Sequence, residues 1–189
     1  MSANEAALAM RSAIQKVATG PEYSKDLSYD ESLAAMKYVL EDAADPVQAA
    51  VFFIALRMKR ETMDEFKGIL QALKEQTDIV EAPVDELVDI ADPYDGYTRG
   101  LPVSAFLPAT LAAAGLPAFI QGLNEVGPKY GITPYKIFKY LSKSVDMSTS
   151  DAAEQLGNSD AGWAYLDQSQ FCKPLYDLLP LRSRVIKRQ

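Results

Sequence analysis

The sequence predicts a mainly α protein: an N-terminal helical bundle followed by a small parallel α/β layer. Three observations predict it. Through the first 80 residues, apolar side chains recur at three-four spacing between recognisable helix caps. From about residue 85, short apolar runs alternate with helical stretches, the order of parallel strands joined by crossover helices. The 189 residues are 48% apolar and 24% charged, which is the balance of an ordinary folded domain. The expected organisation is a bundle over residues 1–80, a partial α/β domain over 81–170, and a helix over 171–189 that returns to the bundle.

The elements follow in order. Ala7, Met10, Ile14 and Val17 mark a first helix, which Gly20 ends; Ala6, Ala9 and Ala13 on it are small enough for close helix approach. Ser28 with Glu31 forms a capping box for a second helix that buries Leu33, Met36 and Leu40. Asp45-Pro46, with Gln48 three residues after the cap, opens a third helix carrying Val47, Ala50, Phe53 and Ile54. Thr62 with Glu65 opens a fourth, carrying Phe66, Ile69, Leu70 and Leu73. Leu87 to Ile90 is the first strand candidate. Pro102 starts a helix running to about Ala114, with Gly115 as its stop. Ala118 to Ile120 is the second strand, and Thr133-Pro134 caps a helix bearing Ile137, Phe138 and Leu141. A short helix near Asp151 to Leu156 ends at Gly157. Trp163 to Leu166 is the third strand, and Phe171, Leu175, Leu178 and Leu179 lie on a closing helix.

Composition narrows the chemistry. The chain has no histidine, which excludes Ser-His-Asp and Cys-His catalysis, histidine metal ligands and histidine pH sensing. Its one cysteine, Cys172, excludes an intrachain disulfide and a cysteine-rich zinc site and is expected to be a small buried or half-buried residue. The net charge of -7 and pI near 4.7 argue against an overall cationic surface for nucleic acid. No apolar run reaches membrane-spanning length, and the N-terminus, with Glu5, does not read as a signal peptide. The expected location is the cytoplasm.

The run Ala55-Leu56-Arg57-Met58-Lys59-Arg60-Glu61-Thr62 resembles the A-L-R-M-K-G-E-T segment of anthranilate phosphoribosyltransferases, members of glycosyl transferase family 3. Asp45-Pro46-Val47-Gln48 is similar to that family's S-P-x-Q helix start, and Asp30-Glu31 opens a helix like its second. Val88-Asp89-Ile90 resembles its V-D-I strand, and Leu111 to Pro117 its A-A-A-G-V-P run. Gly162 to Leu166 resembles its G-F-x-F-L strand, and Pro180-Leu181-Arg182 with Arg188 its P-V-R-R and G-I-R positions. The resemblance covers roughly Asp26 to Gln189. It implies a helical domain with the beginning of an α/β domain, and a homodimer through the N-terminal helices. It also implies transfer of a phosphoribosyl group from phosphoribosyl pyrophosphate with Mg²⁺. The family's metal-binding Asp-Glu pair and most of its sheet would fall beyond residue 189, as in a short form or a fragment.

Where the family has its G-T-G-G-D phosphate loop, this chain reads Ala91-Asp92-Pro93-Tyr94-Asp95-Gly96. Glycines there let backbone N–H groups approach a pyrophosphate; Pro93 has no N–H, and Asp92 and Asp95 repel phosphate. The family's K-H-G-N-R becomes Ile120-Gln121-Gly122-Leu123-Asn124, which keeps only the glycine in place. Tyr94 to Gly100 instead resembles the Y-D-G-x-T-R-G-type loop of a divergent branch, one group of which is associated with nucleic-acid binding.

The candidate ligand-binding residues are therefore Asp92, Tyr94, Asp95, Gly96 and Arg99 in the first loop, Gln121, Gly122 and Asn124 with Lys129 in the second, and Arg182. The last falls where the family places an arginine toward the acceptor's carboxylate. Each set has a bland alternative. The first loop is a binding loop or a structural turn, the second a ligand loop or a chain reversal. Arg182, Arg184, Lys187 and Arg188 form a basic end that binds or is simply solvated. Tyr94, Tyr97, Tyr130, Tyr135 and Tyr140 stack bases or pack. No metal ligand and no catalytic residue is assigned, and Mg²⁺ enters only if a phosphoribosyl pyrophosphate site survives. The expected function is an anthranilate phosphoribosyltransferase-like protein with weak or no autonomous transfer. The alternative is a non-catalytic dimeric scaffold that binds a partner protein or, less readily, nucleic acid; neither reading involves a membrane.

Overall fold

In a computed structural model, residues 3–20 and 22–185 are described. The chain separates into two units, Met1–Thr77 and Asp78–Gln189. The first contains α1 (Ala3–Val17), α2 (Tyr29–Leu40), α3 (Pro46–Lys59) and α4 (Met63–Glu75). The expected caps are present. Ser28 and Thr62 each accept from the N–H three residues on, and Glu31 and Glu65 reach back to the cap N–H, so each box satisfies two orphan donors. Asp45 caps α3 by accepting from the Val47 N–H at 2.8 Å, with Pro46 in the first turn, where its missing N–H costs nothing.

Met10, Ala13 and Val17 form the buried stripe of α1, with Ala6 in line; Ala6 and Ala13 thus face their own bundle. The buried faces of α3 and α4 differ from expectation. On α3 the buried residues are Ala49, Phe52 and Leu56, while Val47 is 69% and Ile54 40% exposed. This helix is apolar nearly all round, so periodicity alone leaves its inward face open. On α4 the buried residues are Glu65, Gly68 and Ala72, and Phe66 and Leu70 are exposed.

Close approach and a buried charge explain α4. A Cβ on Gly68 would meet the Ser32 hydroxyl and lie 2.5 Å from the Tyr29 carbonyl oxygen, so α2 and α4 touch backbone to backbone. Glu65 is fully buried. Its carboxylate accepts from the N–H groups of Leu27 (2.8 Å) and Thr62 (2.7 Å) and pairs with Lys59 at 2.9 Å. Lys59, nearly buried, also meets Asp26 at 2.6 Å. Burial pushes the Glu65 carboxyl up, but the two N–H groups and Lys59 outweigh it and hold the group below the usual glutamate range.

The second unit holds a parallel sheet in the order β1 (Val88–Ile90), β2 (Ala118–Gly122), β3 (Trp163–Asp167). Ile90, Ile120 and Tyr165 share a register position. One cluster packs Ile120 and Tyr165 with Ala105, Ile137, Phe138 and Val145. Another packs Ala164 with Ala152 and Leu156. Helices connect the strands: a 3₁₀ turn (Val103–Phe106) running into α5 (Leu107–Ala113), then α6 (Pro134–Tyr140) and α7 (Thr149–Gly157). The stretch that begins at Pro102 is therefore two pieces, with Pro108 in the first turn of the second. The closing helix is likewise divided, into α8 (Gln168–Phe171), α9 (Lys173–Asp177) and α10 (Leu179–Val185). Pro174 and Pro180 cannot continue a preceding helix, so each sits near the start of a new one. Lys187 and Arg188 lie outside the described residues.

Two stability outcomes follow from the first unit. Gly68→Ala should destabilise it by about 1–3 kcal/mol by forcing α2 and α4 apart; urea unfolding checks this, and an unchanged midpoint would refute the close crossing. Arg60 ends α3 at φ 70, ψ 120, a conformation a side-chain-bearing residue rarely adopts and where the resembling run has glycine. Arg60→Gly should raise stability by roughly 1 kcal/mol, measured as a higher melting temperature.

Candidate functional site

The parallel strands end side by side at Ile90, Gly122 and Asp167, and the loops that leave them gather the candidate residues. Such an edge is where α/β sheets hold ligands. The loop after β1 and the loop after β2 are joined as one body. Tyr97 and Ile132 exchange both backbone hydrogen bonds, at 2.9 and 2.8 Å, and the Gly131 N–H donates to the Asp95 carbonyl at 2.9 Å. The Gly96 N–H donates to the Pro93 carbonyl at 3.0 Å. The contact needs two glycines: a Cβ on Gly96 would lie 2.7 Å from the Ile132 oxygen, and one on Gly131 2.5 Å from the Tyr97 nitrogen. Gly96 also has φ +73, which favours glycine.

Most of the side chains pair with one another. Tyr94 donates to the Gln121 carbonyl oxygen at 2.8 Å, and the Gln121 amide donates to both Asp89 oxygens at 3.2 and 3.1 Å. Tyr97 donates to Asp92 at 2.9 Å. Lys129 lies 3.1 Å from an Asp95 oxygen. Asp167, buried at the end of β3, accepts from the Tyr165 hydroxyl (3.3 Å) and from the N–H (3.0 Å) and hydroxyl (2.6 Å) of Ser169. The second oxygen of Asp92 and the Ser104 hydroxyl are buried without a hydrogen-bond partner among the described residues.

Burial, with the negative charges of Asp89 and Asp167, pushes the Tyr94 phenol up to about 12. Burial and Asp167 raise that of Tyr165 further. The hydrogen bond to Asp92 raises that of Tyr97. All three tyrosines are therefore neutral donors near pH 7, and none is a base or nucleophile there.

The expected residues sort clearly. Asp92, Tyr94, Asp95, Gly96 and Gln121 meet in this network. Gly122 is buried under the Tyr165 ring, and Asn124 is exposed, its carbonyl accepting from Thr133 at 2.9 Å. Arg99 is exposed, with no ion pair among the described residues. Arg182 is exposed on α10, and none of the bonds joining the two loops reaches it. Tyr135 packs edge-on against Tyr165, whereas Tyr130 and Tyr140 are exposed. Cys172 is buried, as expected.

Sequence reasoning missed Asp89, Tyr165 and Asp167. An acid two residues before a serine at a strand end, as in Asp167-Gln168-Ser169, is a readable cap signal. Asp89 carried no such mark. One oxygen of Asp92 accepts from Tyr97, and Asp95 pairs with Lys129. No group of three or more metal-ligating acids, cysteines or histidines converges among the described residues.

Residues 5–77 match the model of the glycosyl transferase family helical bundle domain, and that match ends where the first unit ends. The first unit is therefore similar to the helical bundle domain of the glycosyl transferase family, and the chain as a whole is similar to anthranilate phosphoribosyltransferases. It is 28% identical over 157 residues to the anthranilate phosphoribosyltransferase of Pelotomaculum thermopropionicum, covering 83% of this chain and 43% of that enzyme. It is 29% identical over 161 residues to an uncharacterized protein of Aquifex aeolicus, covering 84% of this chain and 46% of that protein. The crystal structure of the anthranilate phosphoribosyltransferase from Thermus thermophilus superposes with a TM-score of 0.75 at 19% identity. That superposition covers 96% of this chain and 51% of the other, and establishes a common fold. This chain thus spans about half the length of the relatives it matches. No helix among the described residues is long and apolar enough to cross a membrane.

The tyrosine network gives a pH outcome. The Tyr94 phenol ionises more readily when unfolded, near pH 10, than when folded, at about 12. Its contribution is therefore full below pH 10 and is lost as pH rises from 10 to 12. Tyr94→Phe should flatten the loss of stability over that window, read from urea midpoints at pH 9, 10 and 11. Parallel curves for both chains would contradict the assignment.

Proposed function

We propose that this chain does not transfer a phosphoribosyl group on its own and serves as a self-associating binding module built on the transferase scaffold. The observation that carries this reading is the fate of the loop's donors. A pyrophosphate loop works by offering free backbone N–H groups to the anion. Here the Gly96 and Tyr97 N–H groups are spent on the Pro93 and Ile132 carbonyls, and Pro93 has none. Charge acts in the same direction, because residues 78–98 include seven Asp or Glu and no Lys or Arg. Phosphoryl chemistry depends on positioned positive charge; Lys129 beside this loop is already paired, which leaves Arg99 as the loop's exposed cation.

Self-association is favoured by the apolar residues that α3 and α4 leave exposed: Val47, Val51, Ile54 and Met58 on one, Met63, Phe66 and Leu70 on the other. Exposed apolar surface of this extent commonly marks an interface. A partner protein fits the acidic balance better than nucleic acid does, since an acidic surface repels phosphates.

Calorimetric titration with phosphoribosyl pyrophosphate, with and without Mg²⁺, tests the reading. No saturation up to millimolar ligand is expected, and sedimentation of the same sample should show a dimer. Metal-dependent, saturable binding would refute the loss of transfer, and a monomer at micromolar concentration would refute self-association.

A further inference from the structure

The Asp95–Lys129 contact is the part of the site whose chemistry the fold does not require. Backbone bonds join the two loops, through the Tyr97–Ile132 pair and the Gly131 N–H to the Asp95 carbonyl, while the Gly96 N–H closes the first loop's own turn on the Pro93 carbonyl. Gly96 and Gly131 pack so closely that only this register fits. None of these bonds uses the Asp95 carboxylate. Yet that carboxylate is drawn in, with its side chain 17% exposed, while Lys129 is 48% exposed. The ammonium lies 3.1 Å from the Asp95 oxygen and 3.5 Å from the Gly96 carbonyl, over the turn, with its outer side in water.

The other acids of this edge are committed elsewhere. Asp89 holds Gln121, Asp92 accepts from Tyr97, and Asp167 accepts from Tyr165 and Ser169. Asp95 alone among these four is held by a cation. Arg99, four residues on, is exposed. Lys129 is thus the cation held at the turn, with an acid of the chain on it.

We propose that the Asp95 carboxylate is an internal counter-ion, an autoinhibitory group that occupies Lys129 and excludes a phosphate-bearing anion from the joined loops. The inference rests on the reading that the unaltered chain does not hold the phosphoribosyl donor. It explains one part of that failure as self-occupation. A tethered carboxylate competes as an intramolecular ligand, at an effective concentration in the millimolar range or above. A free anion of similar intrinsic affinity is then outcompeted. Removing the charge releases the ammonium, and the backbone register still delivers it to the same place. An exposed ion pair contributes little to folding, so the loops persist without it.

The test is calorimetric titration of inorganic pyrophosphate into the full chain, at low salt, for the unaltered protein, Asp95→Asn, and Asp95→Asn with Lys129→Met. Asp95→Asn should bind at least tenfold more tightly than the unaltered chain, and the double variant should lose that gain. An affinity ratio near one, or a gain that survives Lys129→Met, would overturn the inference. Melting curves verify that each variant folds, and Asp95→Ser is the replacement should the asparagine variant not fold. Saturable binding by the unaltered chain would count against the proposed loss of donor binding. It would leave this inference to the ratio between the chains, so the two can fail separately.

Discussion

The first unit depends on one buried ion pair, that of Lys59 with Glu65. Lys59 ends α3, and Glu65 lies in the first turn of α4. Through the Leu27 N–H and Asp26, the same pair holds the segment that leads into α2. A charge this deep is tolerated only because every group around it is matched: two N–H donors and one ammonium surround the carboxylate. Removing one partner of such a pair typically costs about 3–5 kcal/mol, because the other is left charged and dry. The pair also decides which way α4 turns. With Glu65 inward, Gly68 and Ala72 follow at helical spacing. Phe66 and Leu70 are then carried to the outside. Family-like residues in the Leu56 to Thr62 run thus hold the bundle together, and their retention speaks to architecture more than to ligand chemistry.

The second unit solves a different problem. Its strands end in carboxylates and phenols, so like charges collect at one edge. Each acid is given its own donor: Gln121 for Asp89, Tyr97 for Asp92, Lys129 for Asp95, Tyr165 and Ser169 for Asp167. Keeping the phenols protonated is part of the same solution, because an ionised tyrosine there would add to the repulsion it now relieves. Burial and the neighbouring carboxylates both push the Tyr94 proton toward staying on. The resulting edge pairs most of its own polar groups and leaves one Asp92 oxygen and the Ser104 hydroxyl buried without a partner among the described residues.

Much of this was readable before the structure, and the pattern of success is physical. Caps are local chemistry, and Ser28, Thr62 and Thr133 all cap where the residues predicted. Strands β1, β2 and β3 announced themselves as short apolar runs between loops. What escaped was set by partners far along the chain. The inward face of α4 depends on a glycine touching Tyr29 and Ser32 and on a glutamate reaching Leu27, neither of which leaves a periodic trace. The division of the closing helix was written in Pro174 and Pro180, but its apolar spacing concealed it. The union of the two candidate loops through Tyr97 and Ile132 joins residues 35 apart in number. Gly96 and Gly131 looked like ordinary turn residues until their packing showed why nothing larger fits.

The residues that build the fold and those that would have bound a phosphoribosyl donor form nearly separate sets. Lys59, Glu65, Gly68, Ile120 and Tyr165 are buried and answer to packing. Asp92 to Arg99 lie on a loop, where substitution changes charge and donors without disturbing a core. A scaffold can therefore keep the transferase architecture while the chemistry at the sheet edge is replaced. In this chain the Tyr97 N–H is spent on Ile132 of the second loop and the Gly96 N–H on Pro93 of its own, and the loop carries Asp92 and Asp95. Either feature alone weakens an anion site. Together they act on the same few ångströms and in the same sense, which is why likeness of fold to the enzymes does not by itself carry their reaction to this chain.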